Sequence, residues 1–306
     1  MYPELFKIGI FTVYSYGLMM GIAFIIASYI LTKEFERRKL NHGIATEITL
    51  LAIVFGIIGS KALDLIENWD TFIKNPLIAF SPGGLTFYGG LILATLAIWI
   101  YVRKKKIPFL YIADATSPSL ILAYGIGRLG CQLAGDGDYG IPTSLPWGMS
   151  YPNGTIKPHY ALMQYYQDNP ALAAKDHYYS LSSQVVGTDN YGTITKFDEV
   201  IRLHPAPIYE FFMALIIFYL LWHFRKKDWT NGKLFMTYLV LAGVERLAIE
   251  FIRLNPLLLF GLSEAQLISI VMIIAGSIGF YYLTKNKDKF PKFVPPPLKA
   301  ETKKAG

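Results

Sequence analysis

The chain has 306 residues, of which 53% are hydrophobic and 17% are charged, and its formal net charge is +7. Soluble domains carry about a quarter charged residues, so this composition excludes an ordinary soluble enzyme and indicates a protein embedded in lipid. Nucleic-acid binding is also excluded, because the basic residues form short clusters between apolar runs and no nucleic-acid-binding motif accompanies them.

Seven apolar runs are long enough to cross a bilayer as helices, which takes about 20 residues each. In chain order they cover residues 10–32, 47–66, 85–102, 109–130, 207–224, 234–252 and 264–283. Polar and helix-breaking residues interrupt the fourth run between Asp114 and Pro118, but the orientation of its neighbours requires a span there. The sequence therefore predicts an all-α, polytopic membrane helix bundle with about seven transmembrane helices.

Lysine and arginine clusters predict the orientation, because cytoplasmic loops carry an excess of both residues. Such clusters occupy the first, third and fifth connections and the C-terminal tail. The N-terminus is therefore expected outside and the C-terminus in the cytoplasm. Residues 1–284 are expected to form one membrane domain, whose long connection of about residues 131–206 is an extracytoplasmic cap. Residues 285–306 are expected to be a basic, proline-rich, disordered cytoplasmic tail.

Ionisable residues within apolar runs are costly in lipid and usually mark a functional site. They are Lys61, Asp64, Arg128, Glu210, Glu245, Arg246 and Glu250. With the orientation above, they collect toward the outer leaflet. Asp64 follows Lys61 by three residues and Glu250 follows Arg246 by four, so each carboxylate is expected to form an ion pair within its own helix.

Arg128 has no acidic residue within four positions on either side, so a ligand or a carboxylate distant in sequence must balance its charge. Two arginines at one depth, Arg128 and Arg246, suit an anionic ligand, because a guanidinium binds phosphate through two N–H groups and keeps its charge. The simplest anion that reaches the site from the outer leaflet is a phospholipid headgroup.

Three segments are dense in glycine and in functional side chains. They are residues 83–90 (GGLTFYGG), residues 127–140 (GRLGCQLAGDGDYG), which precede a Pro-Trp-Gly, and residues 204–210 (HPAPIYE). Residues 125–130 also match the dinucleotide-binding pattern GxGxxG, but they end an apolar helix and do not follow a strand. The dinucleotide interpretation therefore fails.

These segments resemble the signatures of the bacterial phosphatidylglycerol–prolipoprotein diacylglyceryl transferases, in the family's order and over about residues 10–284. A further signature, Arg-x-x-x-Glu-x-x-Arg, is matched by Arg246, Glu250 and Arg253. The resemblance implies a multi-pass protein of the bacterial inner membrane with its active site facing the outer leaflet, and with no cofactor and no metal. Its implied partners are phosphatidylglycerol, prolipoprotein signal peptides with a lipobox cysteine, and membrane lipid.

The implied reaction moves the diacylglyceryl group of phosphatidylglycerol to the lipobox cysteine, forming a thioether and releasing glycerol phosphate. Arg128 and Arg246 would stabilise the leaving phosphate. His204 would accept the thiol proton, unless it only caps the fifth helix. Tyr88 would donate a hydrogen bond, unless it is an interfacial aromatic residue. The implied substrate-binding residues are Gly89, Gly90, Cys131, Asp136, Gly140, Tyr209, Glu210 and Glu250.

The chain departs from the family pattern at positions that bear on activity. Cys131 stands where the family has Asn, Tyr88 where it has His, and Asp136 where it has Glu; one extra residue precedes Gly140. Two alternatives of other classes therefore stay open. One is a non-catalytic lipid- or peptide-binding paralogue, which the replacements at Cys131 and Tyr88 favour. The other is a small-molecule transporter, which the crowding of charge toward one leaflet disfavours.

The predicted orientation is tested by reporter fusions. A reporter that is active only in the cytoplasm should give no signal when fused after residue 170, because the basic clusters place that connection outside. The same reporter fused after residue 227 is the matched control and should be active. A strong signal from the first fusion would overturn the orientation.

Overall fold

The computed structural model describes residues 1–9, 11–81, 84, 86–168, 201–290 and 292–295. Its regular elements, in chain order, are β1 (Glu4–Ile8), β2 (Phe11–Tyr14), α1 (Ser15–Arg37), α2 (His42–Glu67), α3 (Trp69–Lys74), α4 (Phe87–Lys104), α5 (Phe109–Ala134), α6 (Pro158–Asp168), α7 (Ala206–Phe224), α8 (Lys233–Glu250) and α9 (Glu264–Lys285), with short 3-10 turns between some of them. Within the described residues, six helices, α1, α2, α4, α5, α7 and α9, are long and apolar enough to cross a membrane. The predicted fold class, an all-α polytopic membrane protein, is confirmed.

The predicted sixth span corresponds to α8, a regular helix of 18 residues. It is not among the six helices that are apolar enough to cross a membrane, because it carries several charged residues and charged groups are costly in lipid. Three of these residues are Lys233, Glu245 and Glu250. These three side chains are buried, so protein groups surround them instead of lipid tails. Seven spans and the orientation stay predictions.

The first span begins later than predicted. Residues Phe11–Tyr14 were expected to start a helix at residue 10, but they pair as a strand with Glu4–Ile8 in an antiparallel hairpin. The Phe-Thr-Val-Tyr sequence of this strand consists of β-branched and aromatic residues, which favour strands over helix starts. The helix begins at Ser15, whose backbone N–H donates to the carbonyl oxygen of Pro3 at 2.9 Å.

The chain divides into two compact units. Unit 1 consists of Met1–Ala27, Ser117–Trp229 and Lys233–Asn286, and unit 2 of Ser28–Thr116, Thr230–Gly232 and Lys287–Gly306. Among the residues that the structure describes, unit 2 has one buried apolar core and unit 1 has two. One of these two is formed by helical residues that include Ile121, Ala214, Leu221 and Leu234. The predicted boundary between a membrane domain and a tail at residue 284 stays a prediction, and residues 291 and 296–306 of that tail lie outside the described residues.

The second core of unit 1 lies in the connection that follows α5. Tyr139, Tyr151 and Leu203 are buried there, and the rings of Tyr139 and Tyr151 are 4.7 Å apart. The Tyr139 hydroxyl donates to the carbonyl oxygen of Ile156 at 3.1 Å. The described part of the predicted cap therefore has packed structure, which holds the segment after Arg128 in place. Residues 169–200 of the cap lie outside the described part of the chain.

In unit 2, glycines let α2 and α4 approach closely. Gly59, Gly89 and Gly90 are buried, and a Cβ atom on Gly89 would overlap the backbone oxygen of Gly59. Small residues at a helix crossing let two backbones pack together in a membrane. Gly89 and Gly90 thus have a packing role, and their predicted substrate role stays a prediction. Two members of their motif, Gly83 and Leu85, lie outside the described residues.

The helix crossing generates a stability prediction. Gly89→Ala should lower the free energy of unfolding by about 1–3 kcal/mol, because the new methyl group overpacks the contact with α2. Gly56→Ala, in α2, is the matched control, since a Cβ there has no neighbour within 4 Å. Thermal unfolding of the purified proteins in detergent measures both; equal melting temperatures would contradict the overpacking.

Candidate active site

Three arginines of unit 1 converge on one buried carboxylate. Glu210, in the first turns of α7, has no exposed side-chain surface. Its Oε1 lies 3.0 Å from Nη1 of Arg246 and 3.5 Å from Nε of Arg128, and its Oε2 lies 3.3 Å from Nη1 of Arg253. Arg128 comes from α5, Arg246 from α8, and Arg253 from the turn after α8. The Arg128 charge is therefore balanced by carboxylates distant in sequence, one of the two possibilities that the sequence left open.

A second carboxylate, Asp138, bridges two of the same arginines. One of its oxygens pairs with Arg128 and the other with Arg253. Burial alone would raise the pKa of the Asp138 carboxyl, but Arg253 and Arg128 outweigh that effect, and its pKa lies below its ordinary value. Asp138 is therefore an anion at neutral pH.

Glu250 is a third acid that pairs with these arginines. Its Oε2 lies 2.9 Å from Nη2 of Arg246, which confirms the ion pair predicted from their spacing of four residues. Asn255 donates to its Oε1 at 2.5 Å and the hydroxyl of Ser263 donates to the same oxygen at 2.7 Å. The other predicted pair, Lys61 with Asp64 in unit 2, is also confirmed, at 3.4 Å.

Tyr124, one turn before Arg128 in α5, joins the arginine cluster to a further acid. Its hydroxyl lies 2.8 Å from Oε1 of Glu210 and 3.4 Å from Oε1 of Glu245. The guanidinium carbon of Arg128 lies 4.9 Å from the centre of the tyrosine ring, within the range of a cation–π interaction. The Arg128 side chain is thus fixed by a ring on one side and carboxylates on another.

Two of the three arginines keep an open side. The side chains of Arg128 and Arg246 are 21% and 22% exposed, whereas that of Arg253 is 6% exposed. Buried acids hold these guanidinium groups in position while part of each remains accessible. Chemically, the arrangement is a pre-positioned pair of forked cations that an anion can reach.

His204 lies next to the start of α7 and belongs to a second polar group. Its Nδ1 lies 3.2 Å from the hydroxyl oxygen of Tyr209, which accepts a hydrogen bond from Nε1 of Trp147 at 2.8 Å. Burial lowers the pKa of the His204 ring, so the ring is neutral at neutral pH. A neutral imidazole held by one nitrogen is able to accept a proton at the other.

The predicted residues Cys131 and Asp136 lie beside Asp138. The Cys131 sulfur is buried and lies 3.9 Å from Nη1 of Arg128. Ligand-type atoms of Cys131, Asp136 and Asp138 lie within 4.8 Å of one another. Burial, followed by the nearby charge of Asp138, raises the pKa of the Asp136 carboxyl. Because Asp138 is committed to two guanidinium groups, this cluster is a poor fit for a cation.

Gly140 brings two parts of the site together through its backbone. Its N–H donates to the carbonyl oxygen of His204 at 2.8 Å, and it forms a β-bridge with Arg253. A Cβ atom here would lie 3.0 Å from that of His204 and would overlap the backbone oxygen of Ile252. Only glycine therefore lets the cap segment pack this closely against Ile252, in the turn after α8.

The remaining predicted site residues, Tyr88, Gly89 and Gly90, belong to unit 2. The half-buried Tyr88 ring lies 5.6 Å from that of Phe87 in an edge-on arrangement. The structure thus brings together the predicted residues of the fourth, fifth and sixth runs, all in unit 1. The catalytic role of Tyr88 stays a prediction.

Three residues of the observed cluster, Asp138, Tyr124 and Arg253, are not among the site residues predicted from the sequence. Arg253 was visible as the last position of the Arg-x-x-x-Glu-x-x-Arg signature. Asp138 lies in the segment that has one residue more than the family pattern, and this departure was the signal that the sequence offered. Nothing in the sequence indicated a role for Tyr124 except its position one helical turn before Arg128.

Comparison with known proteins gives consistent matches over nearly the whole chain. The family model described as prolipoprotein diacylglyceryl transferase matches residues 3–282. The phosphatidylglycerol–prolipoprotein diacylglyceryl transferase of Clostridium tetani is 31% identical over 295 residues, which cover 95% of this chain and 100% of that protein. The protein of the same name from Dehalococcoides mccartyi is 30% identical, and the alignment covers 94% of this chain and 95% of that protein. The one from Parasynechococcus marenigrum is 26% identical, and the alignment covers 94% of this chain and 96% of that protein.

The central role of Glu210 generates a stability prediction. Glu210→Gln keeps the shape but removes the charge that three arginines share, so it should cost about 3–5 kcal/mol of unfolding free energy. Tyr124→Phe removes only one hydrogen bond to the same carboxylate and should cost about 1 kcal/mol. Thermal unfolding in detergent compares them. If Glu210→Gln were no less stable than Tyr124→Phe, Glu210 would not be the shared counter-charge.

Proposed function

Because the chain belongs to the prolipoprotein diacylglyceryl transferase family, we propose that it transfers the diacylglyceryl group of phosphatidylglycerol to a cysteine of a prolipoprotein. Both substrates appear in the names of the relatives over whose length the chain aligns. The chain is a multi-pass protein of a bacterial membrane, with six apolar helices in its described part. The finer features are proposals: the acceptor is the cysteine of a lipobox, and the site faces the outer leaflet.

The reaction is a displacement at carbon. The cysteine sulfur forms a bond to the terminal glyceryl carbon, the bond from that carbon to the phosphate oxygen breaks, and glycerol phosphate leaves. The thiol must first lose its proton, because the thiolate is the nucleophile. The leaving phosphate gains negative charge as its bond breaks, so the site needs fixed positive charge that does not have to reorganise.

One observation carries the proposal: Arg128 and Arg246 contact the same oxygen of a fully buried glutamate. Their guanidinium groups are therefore held close together and keep open sides. A phosphate that enters from this open side would meet two forks, each able to form paired hydrogen bonds. We assign these two arginines to the phosphate of the lipid.

His204 is the candidate base for the thiol proton. The hydroxyl oxygen of Tyr209 accepts a hydrogen bond from Nε1 of Trp147, and it also lies within hydrogen-bonding distance of Nδ1 of His204. If Nδ1 carries the hydrogen and donates it to Tyr209, then Nε2 has the free lone pair that a base needs. The lowered pKa keeps this lone pair available at neutral pH.

The decisive experiment measures transfer by the purified full-length protein. Labelled diacylglycerol in phosphatidylglycerol should appear on a lipobox peptide, and a peptide with its cysteine replaced by serine is the control. Phosphatidylcholine replaces the donor lipid in a second control. No transfer from any phosphatidylglycerol to any lipobox peptide would reject the proposed activity and favour a non-catalytic paralogue.

The forked geometry of Arg128 is tested by Arg128→Lys. Lysine keeps the positive charge but loses the paired hydrogen bonds, so transfer should fall by roughly 100-fold or more, the usual cost of losing a donor to a developing charge. Arg37→Lys, at a partly exposed arginine of unit 2 that pairs with the buried Glu34, is the matched control and should keep activity. Near-normal transfer by Arg128→Lys would show that a simple charge suffices.

Tyr88→Phe tests whether the Tyr88 hydroxyl takes part in catalysis. If it donates to the lipid, transfer should fall roughly 100-fold with the fold intact, because the ring is kept. Cys131→Asn and Cys131→Ser should both retain activity, since no covalent step passes through Cys131. Full activity in Tyr88→Phe would reduce Tyr88 to an interfacial aromatic residue, and loss only in Cys131→Ser would indicate a nucleophile.

A further inference from the structure

The Asp138 carboxylate has the geometry of a bound anion. Its two oxygens contact two different guanidinium groups, those of Arg128 and Arg253. A phosphodiester also presents two oxygens, which share one negative charge and can accept hydrogen bonds from separate arginines. Arg128 is one of the two residues that we assign to the lipid phosphate, so Asp138 occupies part of the surface that the phosphate needs.

Of the three acids that pair with these arginines, Asp138 is also the one that is most able to move. Its side chain is 24% exposed, whereas those of Glu210 and Glu250 are 0% and 1% exposed. Asp138 lies in a turn after α5, whereas Glu210 and Glu250 lie within helices. Gly135 and Gly137 of this turn have φ angles of +60° and +93°, conformations that glycine adopts at little cost. A carboxylate on such a turn can change position without breaking a helix.

We propose that Asp138 is a built-in mimic of the substrate phosphate, which holds Arg128 and Arg253 in position when the site has no lipid and is displaced when phosphatidylglycerol binds. The proposal rests on the proposed function, because that function assigns the phosphate to Arg128. It makes Asp138 a positioning residue that competes with the substrate. It also gives a role to the segment in which this chain has one residue more than the family pattern.

The charge balance supports displacement. Three arginines face Asp138, Glu210 and Glu250, so positive and negative charges are equal in number even before Glu245 and the neighbouring Asp136 are counted. A phosphodiester added to this set would leave an excess negative charge in a mostly buried site, which is unfavourable. If Asp138 moves toward solvent as the phosphate arrives, the balance is restored.

The alternative is that Asp138 is a clasp that ties the cap segment to the arginines and has no competing role. The two cases make opposite predictions for lipid binding. Removing a competitor tightens binding, because Arg128 and Arg253 no longer have to release an internal partner. Removing a clasp loosens binding, because the arginines lose their positions.

The test measures binding directly, so that it does not depend on catalysis. Purified full-length parent, Asp138→Asn and Asp138→Ser are titrated with short-chain phosphatidylglycerol in detergent, and the shift in thermal unfolding gives the affinity. Both variants should bind roughly tenfold more tightly, the effect of losing one competing charge-assisted hydrogen bond. Asp70→Asn, which removes the same charge from an exposed position in α3, is the matched control and should bind like the parent.

Inorganic phosphate and glycerol phosphate are titrated in parallel, because they share the chemistry of the headgroup. Tighter binding of all three ligands by both variants, together with a lower KM for phosphatidylglycerol, supports the proposal. Unchanged or weaker binding in whichever variant folds overturns it. A parent that binds the lipid but transfers nothing would reject the proposed function, while the comparison of affinities would still decide the role of Asp138.

Discussion

The site depends on the burial of one negative charge. A carboxylate without exposed surface, such as Glu210, is stable in a membrane protein only if cations compensate it, because an unpaired charge in a low-dielectric interior is very costly. Arg128, Arg246 and Arg253 supply that compensation from two helices and the turn that follows α8. The same contacts then fix where the guanidinium groups point. Stability and pre-organisation of the site therefore have one cause.

The parts that the sequence predicted are local in character. Apolar runs give the helices that cross the membrane, since length and hydrophobicity decide insertion. A spacing of three or four residues gave the ion pairs of Lys61 with Asp64 and of Arg246 with Glu250. Because no acidic residue lies within four positions of Arg128, the sequence also indicated that its charge is balanced by a ligand or by a carboxylate distant in sequence. In each case the relevant distance along the chain is at most one helical turn or one span.

The parts that the sequence did not predict depend on tertiary contacts. Glu210 is 82 residues from Arg128, and no local pattern shows that the two meet. Asp138 pairs with Arg253 through a turn whose shape depends on glycines with positive φ angles. The hairpin before α1 replaced the expected start of a helix, because strand propensity competes with hydrophobicity over so short a segment. Such contacts become visible only when the chain is folded.

The compensated arginines also fit the proposed reaction, because their positions are fixed before the lipid binds. A phosphodiester carries one negative charge, and its departure as a phosphate monoester adds a second. Guanidinium groups that a buried carboxylate already holds in place do not have to reorganise as the second charge develops. An interaction that strengthens between the ground state and the transition state raises the rate, whereas equally tight binding of both would not. In the proposed reaction, Glu210 would therefore contribute by holding Arg128 and Arg246 where the charge of the leaving group develops.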